Sequence, residues 1–348
     1  MERIAAHRGS DGRAGAFRRR RCIACVRRRP HPERGTVKAV LHYRASPGFR
    51  AALSAIRGAR IAVVDESDET GFAREIADAD VLLHVLKPVT ESMMEAAPRL
   101  GLVQKIGVGV NTIDLEAARR RRIAVCNMPG TNSQAVAEMA LTLMLAVLRR
   151  VAVFDPQTRA GNGWRPDPDV LDRVGEIAGR TVGFFGFGAS ASRLAPALEA
   201  LGARVIYTAR TPRAGREAAF RTFEALLAEA DIVSLHAPLT EATRGIFDAA
   251  AIARMKPGAI VVNTARGELI DEAALVAALR AGRLSGAGLD VFAREPVEPA
   301  NELLTLPSVV VMPHLAWLTP ETLARSMDVA VENCRRLGAG EPLLHRVV

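Results

Sequence analysis

The sequence predicts an α/β protein of two doubly wound parallel-sheet domains, and three observations carry that expectation. From residue 37 onward, short β-branched runs alternate with alanine- and leucine-rich helical stretches, the pattern of a parallel sheet with helices on both faces. The runs form two groups, five before a long apolar helix and six after it. The second group opens on a glycine-rich turn between a strand and a helix. At 348 residues the chain has the length for two domains of ordinary size.

The first 36 residues stand apart. They hold eleven arginines against Glu2, Asp11 and Glu33, while the other 312 residues carry 36 basic and 35 acidic side chains, so the net charge of +9 belongs almost wholly to this tail. The folded part is near neutral, and no nucleic-acid partner is expected. The tail lacks periodicity and is rich in Arg, Gly and Pro, hence a disordered segment over 1–36. Its arginines at 18–21 and 27–29 would suit a phosphate-binding arm, and its few acids a transit peptide. An excess of Arg over Lys of 43 to 4 across the chain favours a third origin, an overlong translated leader from a GC-rich coding sequence. Cys22 and Cys25 form a C-x-x-C without a second ligand pair, so no metal or redox role is expected, and no metal site elsewhere. Four cysteines make no disulfide framework, which points to a reducing compartment, the cytoplasm. No apolar run exceeds the seven residues 273–279, so no membrane partner is expected.

The first five strands are expected at 37–43, 61–65, 81–85, 102–106 and 123–126, with helices such as 47–57 and 115–122 between them. A helix over 133–150 follows, with Asn132 or Ser133 available as N-cap. Between Ala135 and Leu148 only Glu138 and Thr142 are polar, so this helix must be buried on more than one side. It either crosses between domains or meets a second subunit, and a homodimer contact through 133–150 is the preferred expectation. A Gly-, Pro- and Asp-rich loop at 155–169 precedes strands at 181–185, 204–208, 232–236, 259–263, 286–290 and 309–312. Six such strands suit a dinucleotide-binding domain. The last helix, at 319–336, has no strand after it and is expected to return to the first domain.

The strand at 181–185 runs into Gly186-Phe187-Gly188-Ala189-Ser190-Ala191, a G-x-G-x-x-A in the strand–turn–helix context that a dinucleotide fingerprint requires. Gly186 permits the tight turn, Gly188 the approach of a pyrophosphate, and Ala191 close packing of helix on strand, while the helix N-terminus stabilises phosphate. An NAD site usually ends the next strand in an acid that binds the ribose hydroxyls. Here the sequence reads Thr208-Ala209-Arg210-Thr211-Pro212-Arg213, with no acid. Arginine matches a 2′-phosphate in charge and bidentate geometry, so NADP(H) is the expected cofactor and NAD(H) the lesser possibility.

Several later segments follow strand ends, where such a sheet places ligands: Asn263-Thr264-Ala265-Arg266-Gly267, Leu289-Asp290-Val291-Phe292-Ala293-Arg294-Glu295-Pro296 and Pro313-His314-Leu315-Ala316-Trp317. With Gly107-Val108-Gly109 and Asp114, Pro129-Gly130 with Asn132 and Glu138, and Leu235-His236-Ala237-Pro238-Leu239-Thr240, they make the chain from 37 to the C-terminus resemble the D-isomer-specific 2-hydroxyacid dehydrogenase family. The Ala-Trp after His314 is closest to glyoxylate and hydroxypyruvate reductases. The resemblance implies a Rossmann NAD(P)-binding domain at 131–318 inserted into a flavodoxin-like substrate domain at 37–130 and 319–348.

It also implies a catalytic set of Arg266, Glu295 and His314, whose chemistry is independently sensible. A guanidinium can grip the carboxylate of a 2-keto acid, histidine can supply a proton near neutral pH, and a carboxylate on the other ring nitrogen orients it. Glu295 argues against the formate-oxidising branch, which carries glutamine there. Carried over from the family are cofactor positions Thr131, Gly186, Gly188, Ala189, Ser190, Arg210, Thr211, Arg213, His236, Pro238, Thr243, Thr264, Ala265 and Asp290. Substrate positions are Leu86, Lys87, Val108 and Gly109, on loops whose amides would face the substrate, with Arg266, His314 and Trp317. Ala189 and Ser190 depart from the arginine and isoleucine common in the family, which backbone contacts to phosphate tolerate. The expected function is an NADP(H)-preferring reductase of glyoxylate or hydroxypyruvate. The alternatives are a larger 2-keto acid, 3-phosphoglycerate or, more distantly, a dinucleotide-sensing corepressor-like binding protein.

Overall fold

The structure, a computed structural model, describes residues Thr36–Val348. The expectations for the arginine-rich segment, with Cys22 and Cys25, lie outside the described residues except at Thr36.

All five early strands form, as β1 (Val37–His42), β2 (Ala59–Val64), β3 (Val81–His84), β4 (Leu102–Lys105) and β5 (Ala124–Cys126). They make one parallel sheet in the order β2-β1-β3-β4-β5, the flavodoxin-like arrangement. Alternation along the strands divides the apolar residues between two cores. Ala39, Leu41, Leu83 and Leu102 face one, and Val40, Leu82, Val103 and Val125 the other. The helices between these strands start on side-chain caps, Ser46, Asp68, Thr90 and Asp114, each accepting from an amide in the first turn.

The helix Pro320–Ala339 puts Met327, Ala330 and Cys334 into the first of those cores. The chain therefore returns to its first sheet. Beyond the helix, Arg346 makes a single antiparallel bridge to Cys126, and Val347 N–H donates to Val125 O at 2.7 Å. This bridge is too short to leave a strand signal.

The long apolar helix is Ser133–Leu148. Asn132 occupies its cap position without a side-chain cap bond. Ala137, Ala140, Leu143, Met144, Val147 and Leu148 pack with Phe184, Leu194, Leu198 and Ile260 of the second sheet and its covering helix. The expected loop at 155–169 begins inside another helix, Val151–Arg159, which runs through Pro156 and carries an Asp155–Arg159 pair one turn apart. Its proline and aspartate disguised it.

The second sheet contains β6 (Thr181–Phe185), β7 (Arg204–Thr208), β8 (Ile232–Leu235), β9 (Ala259–Asn263), β10 (Leu284–Leu289) and β11 (Val309–Val311). It is parallel throughout, in the order β11-β10-β9-β8-β6-β7. Phe220 adds one isolated parallel bridge to Tyr207 of β7, which the sequence does not signal. Succession reverses on either side of β6, which opens a crevice at the C-terminal strand ends where ligands of such sheets bind. Among the described residues no helix is long and apolar enough to cross a membrane.

Candidate active site

The turn after β6 is built for an anion. Gly186 has φ 91, and a Cβ there would lie 2.6 Å from Ala237 N, so both its conformation and its neighbour demand glycine. A Cβ on Gly188 would meet nothing within 4 Å, which leaves the turn open. The helix Ala189–Ala200 starts at once and Ala191 is fully buried beneath it. Beside this turn, Arg213 donates from Nε to Phe187 O at 3.1 Å, and its N–H donates to Tyr207 Oη at 2.7 Å. Arg210 and Thr211 are exposed. Arg216 is drawn away into two hydrogen bonds with Glu199.

Across the crevice, His236 Nε2 lies 2.9 Å from Ser234 Oγ, and burial pushes its pKa down to about 4. Its imidazole is therefore neutral at working pH. Thr243 Oγ1 donates to Pro238 O at 2.8 Å, closing the turn after β8. Thr264 Oγ1 is buried without any partner, a cost that a ligand hydrogen bond would offset. An open glycine turn at a helix N-terminus, with an orphaned hydroxyl at a nearby strand end, fits a dinucleotide. Thr131 behaves differently: its hydroxyl donates to Met128 O and its carbonyl accepts from Arg325 Nε, so both polar groups are already engaged.

Leu86, Val108, Gly109, Arg266, His314 and Trp317 line one small cleft of about 60 Å³. His314 has φ 57, an uncommon conformation for a side-chain-bearing residue. Its surroundings hold it there. His314 N–H donates to Asp290 O at 2.7 Å, and Trp317 Nε1 donates to His314 O at 3.1 Å. The Asp290 carboxylate accepts from the amides of Leu315 and Ala316 at 2.8 and 3.0 Å. Burial pushes the Asp290 carboxyl above its ordinary value, against the pull of those two amides. Asp290 thus braces the turn that carries His314, whatever it also offers a cofactor.

His314 Nδ1 sits 2.6 Å from Glu295 Oε2, and Glu295 Oε1 accepts from Phe292 N–H at 3.0 Å. Burial raises the Glu295 carboxyl, but the His314 hydrogen bond and charge, the Phe292 amide and Arg266 outweigh it and hold the group below its usual range. Arg266 is fixed at its backbone by Asn263, whose Nδ2 donates to Arg266 O at 2.8 Å, and at its side chain by Asn111, whose Oδ1 accepts from Nε at 3.2 Å. Burial lowers the guanidinium pKa, with Glu295 and Glu268 acting against it. Next to it, a Cβ on Gly267 would overlap the Phe292 carbonyl and Ala293 N. Glycine there lets the loops bearing Arg266 and Glu295 touch.

The Lys87 side chain pairs with Glu69 and donates to the Glu66 main-chain carbonyl at 3.1 Å; the expectation for Lys87 concerns its loop amide. Trp317 both lines the cleft and packs in the first sheet's core. Two residues were missed. Asn111 holds Arg266 from the first sheet's side, and Lys105 ends β4 inside the cleft. A usable signal existed for the second: it is one of four lysines in an arginine-rich chain, and it ends a short strand just before Gly107.

The family profile described as "D-isomer specific 2-hydroxyacid dehydrogenase, NAD binding domain" matches residues 141–316, half of the chain. The chain belongs to this family. It is therefore an oxidoreductase acting on CH–OH groups, with a dinucleotide-binding domain. This 2-hydroxyacid dehydrogenase is 39% identical over 273 residues to the glyoxylate reductase of Aeropyrum pernix, covering 76% of this chain and 81% of that one. It is 40% identical over 283 residues to the D-3-phosphoglycerate dehydrogenase of Mycobacterium leprae, covering 80% of this chain but 53% of that longer relative. Among solved structures, it resembles an NADPH-dependent glyoxylate/hydroxypyruvate reductase from Sinorhizobium meliloti in complex with NADP and malonate, at TM-score 0.78 and 29% identity over 90% of this chain and 97% of that one.

Proposed function

We propose that this dehydrogenase works as an NADP(H)-preferring 2-keto acid reductase on glyoxylate or hydroxypyruvate. The carrying observation is the cleft itself, which joins a fixed arginine and a carboxylate-backed histidine in about 60 Å³, room for a small acid. NADP(H) preference rests on the acid-free end of β7 and on Arg210 and Arg213 beside the glycine turn. Gly186, Gly188, Ala189, Ser190, Arg210, Thr211, Arg213 and Thr264 would hold the cofactor, which when bound supplies the hydride.

Arg266 grips the substrate carboxylate through a planar fork of donors. That grip fixes the keto carbon and turns its oxygen toward His314. Reduction leaves negative charge on that oxygen, and His314 Nε2 delivers a proton to it. Glu295, on the opposite ring nitrogen, fixes the tautomer and stabilises the charged imidazole. In the reverse direction the same nitrogen takes the hydroxyl proton. Water is excluded where Trp317 and Leu86 close over the cleft.

We further propose that residues 37–130 with 319–348 form the substrate domain and 131–318 the cofactor domain, in a cytoplasmic homodimer. Dimerisation draws on apolar side chains left exposed in and after the long helix, Leu145, Val151 and Trp164. The phosphoglycerate reading is favoured by the mycobacterial relative. Initial rates of NADPH and NADH oxidation with glyoxylate, hydroxypyruvate, pyruvate, phenylpyruvate and 3-phosphohydroxypyruvate decide between these. Fast NADPH oxidation with glyoxylate or hydroxypyruvate supports the proposal; preference for the phosphorylated acid or for NADH overturns its substrate or cofactor half.

A further inference from the structure

Lys105 is a buried cation with no acid to answer it. Only 6% of its surface is exposed, and its Nζ donates to Val85 O. Among the described residues no carboxylate lies within ion-pair distance of it. Its neighbours across the sheet are in register: His84 of β3 stands opposite Lys105, and His42 of β1 opposite His84. Burial lowers both histidines, His84 to about 3, so neither carries a compensating or competing charge near neutral pH. Of the acids beside the cleft, Asp290 is committed to two amides and Glu295 to His314, and Glu268 acts on Arg266. Lys87, on the loop after β3, is paired with Glu69. The remaining charged group facing Lys105 is Arg266, a second cation.

These two cations flank one loop. The Lys105 Cε would sit 3.5 Å from a Cβ on Gly107, and Arg266 Nη2 would overlap a Cβ on Gly109. One comes from β4 of the first sheet and the other from the loop after β9 of the second, and both line the same cleft. Arg266 is answered in part by Glu295 and Glu268, Lys105 by no acid; two desolvated cations lining one cleft are costly, and a small anion between them offsets that cost for both.

We propose that Lys105 is a second anchor for the substrate carboxylate, donating from Nζ on the first-sheet side while Arg266 grips from the second. It is a binding residue that draws the two halves of the cleft onto one anion. The inference rests on the 2-keto acid reading of the site, and it adds a titration to it. Burial, with Arg266 adding to it, brings the Lys105 ammonium down to about 7. The free enzyme is charged there below that pH and neutral above it. An anion favours the charged form, so above pH 7 binding must take up a proton, and affinity falls by about tenfold per pH unit.

The test is binding of oxamate, a 2-keto acid isostere that is not reduced, to the NADPH-saturated enzyme between pH 6 and 9, followed by cofactor fluorescence. Wild type is expected to lose affinity above pH 7. Lys105→Met should bind oxamate about 10- to 100-fold more weakly at pH 6 and lose that alkaline limb, with NADPH affinity unchanged. Lys105→Arg should bind tightly and carry the limb beyond pH 9. Lys105→Gln keeps a donor for Val85 O and should behave as Lys105→Met, which separates loss of charge from loss of fold. Wild-type affinity and an intact pH limb in the Met and Gln variants would overturn the proposal. Lysine-dependent oxamate binding in an enzyme that fails to reduce glyoxylate would retain the anchor and reject the substrate assignment.

Discussion

His314 Nδ1 and Glu295 Oε2 stand 2.6 Å apart on loops that follow adjacent strands β11 and β10, nineteen residues apart in the chain. The pair leaves the other ring nitrogen for the cleft. Glu295 is held below the usual carboxylate range, so it stays ionised through neutral pH and its support is lost only as pH falls through that depressed value. Glu295→Gln preserves the shape of the contact and removes the charge. Glyoxylate reduction should then fall by about 10- to 100-fold in kcat/KM at pH 6, with NADPH affinity and Tm near wild type. Wild-type kcat/KM would mean that Glu295 only holds the loop.

Arg213 leans on the carbonyl of Phe187 inside the glycine turn, and Arg210, just after β7, is exposed. Replacing both by alanine removes charge-assisted bonds to a 2′-phosphate. KM for NADPH should rise about 10- to 100-fold while KM for NADH barely changes. Equal losses for both cofactors would show that these arginines do not read the phosphate.

Most of the architecture was legible because each fully buried parallel strand writes a continuous apolar run. All eleven strands were found within two residues of their limits. The Phe220 bridge and the Arg346 bridge escaped because one residue pair has no periodicity. The helix through Pro156 escaped because local composition argued for a loop. At the site, Arg266, Glu295 and His314 stood in recognisable segments, and the fold brings them together. Asn111 and Lys105 were silent for another reason: their importance comes from what lies across the cleft, which no local pattern records.

Gly267 touches the backbone of Phe292 and Ala293 with no room for a methyl group. Gly267→Ala should separate the loops carrying Arg266 and Glu295 and destabilise the protein by about 1–3 kcal/mol. The expected result is a lower Tm together with a fall in kcat/KM. An unchanged melting curve would show that the loops part without cost.

His84 is buried, with Nδ1 unpartnered and Nε2 on Lys87 O at 2.8 Å. Its pKa lies near 3 in the fold, below the 6.5 of a free imidazole. Between those values the unfolded chain binds a proton that the folded chain refuses, so stability falls as pH drops from about 6.5, by up to about 1.4 kcal/mol per unit. His84→Gln should flatten Tm against pH between 7 and 5 relative to wild type. Parallel curves for the two proteins would contradict this.

Hydride delivery to a keto carbon, with His314 supplying the proton, is tested most directly with NADPH carrying deuterium at the transferable position. Hydroxypyruvate is the acceptor, in wild type and His314→Ala side by side. Wild type should give glycerate deuterated at C2. The variant should bind NADPH normally and form that product more than about 100-fold more slowly. Unlabelled product, or a variant that keeps pace with wild type, would contradict the account.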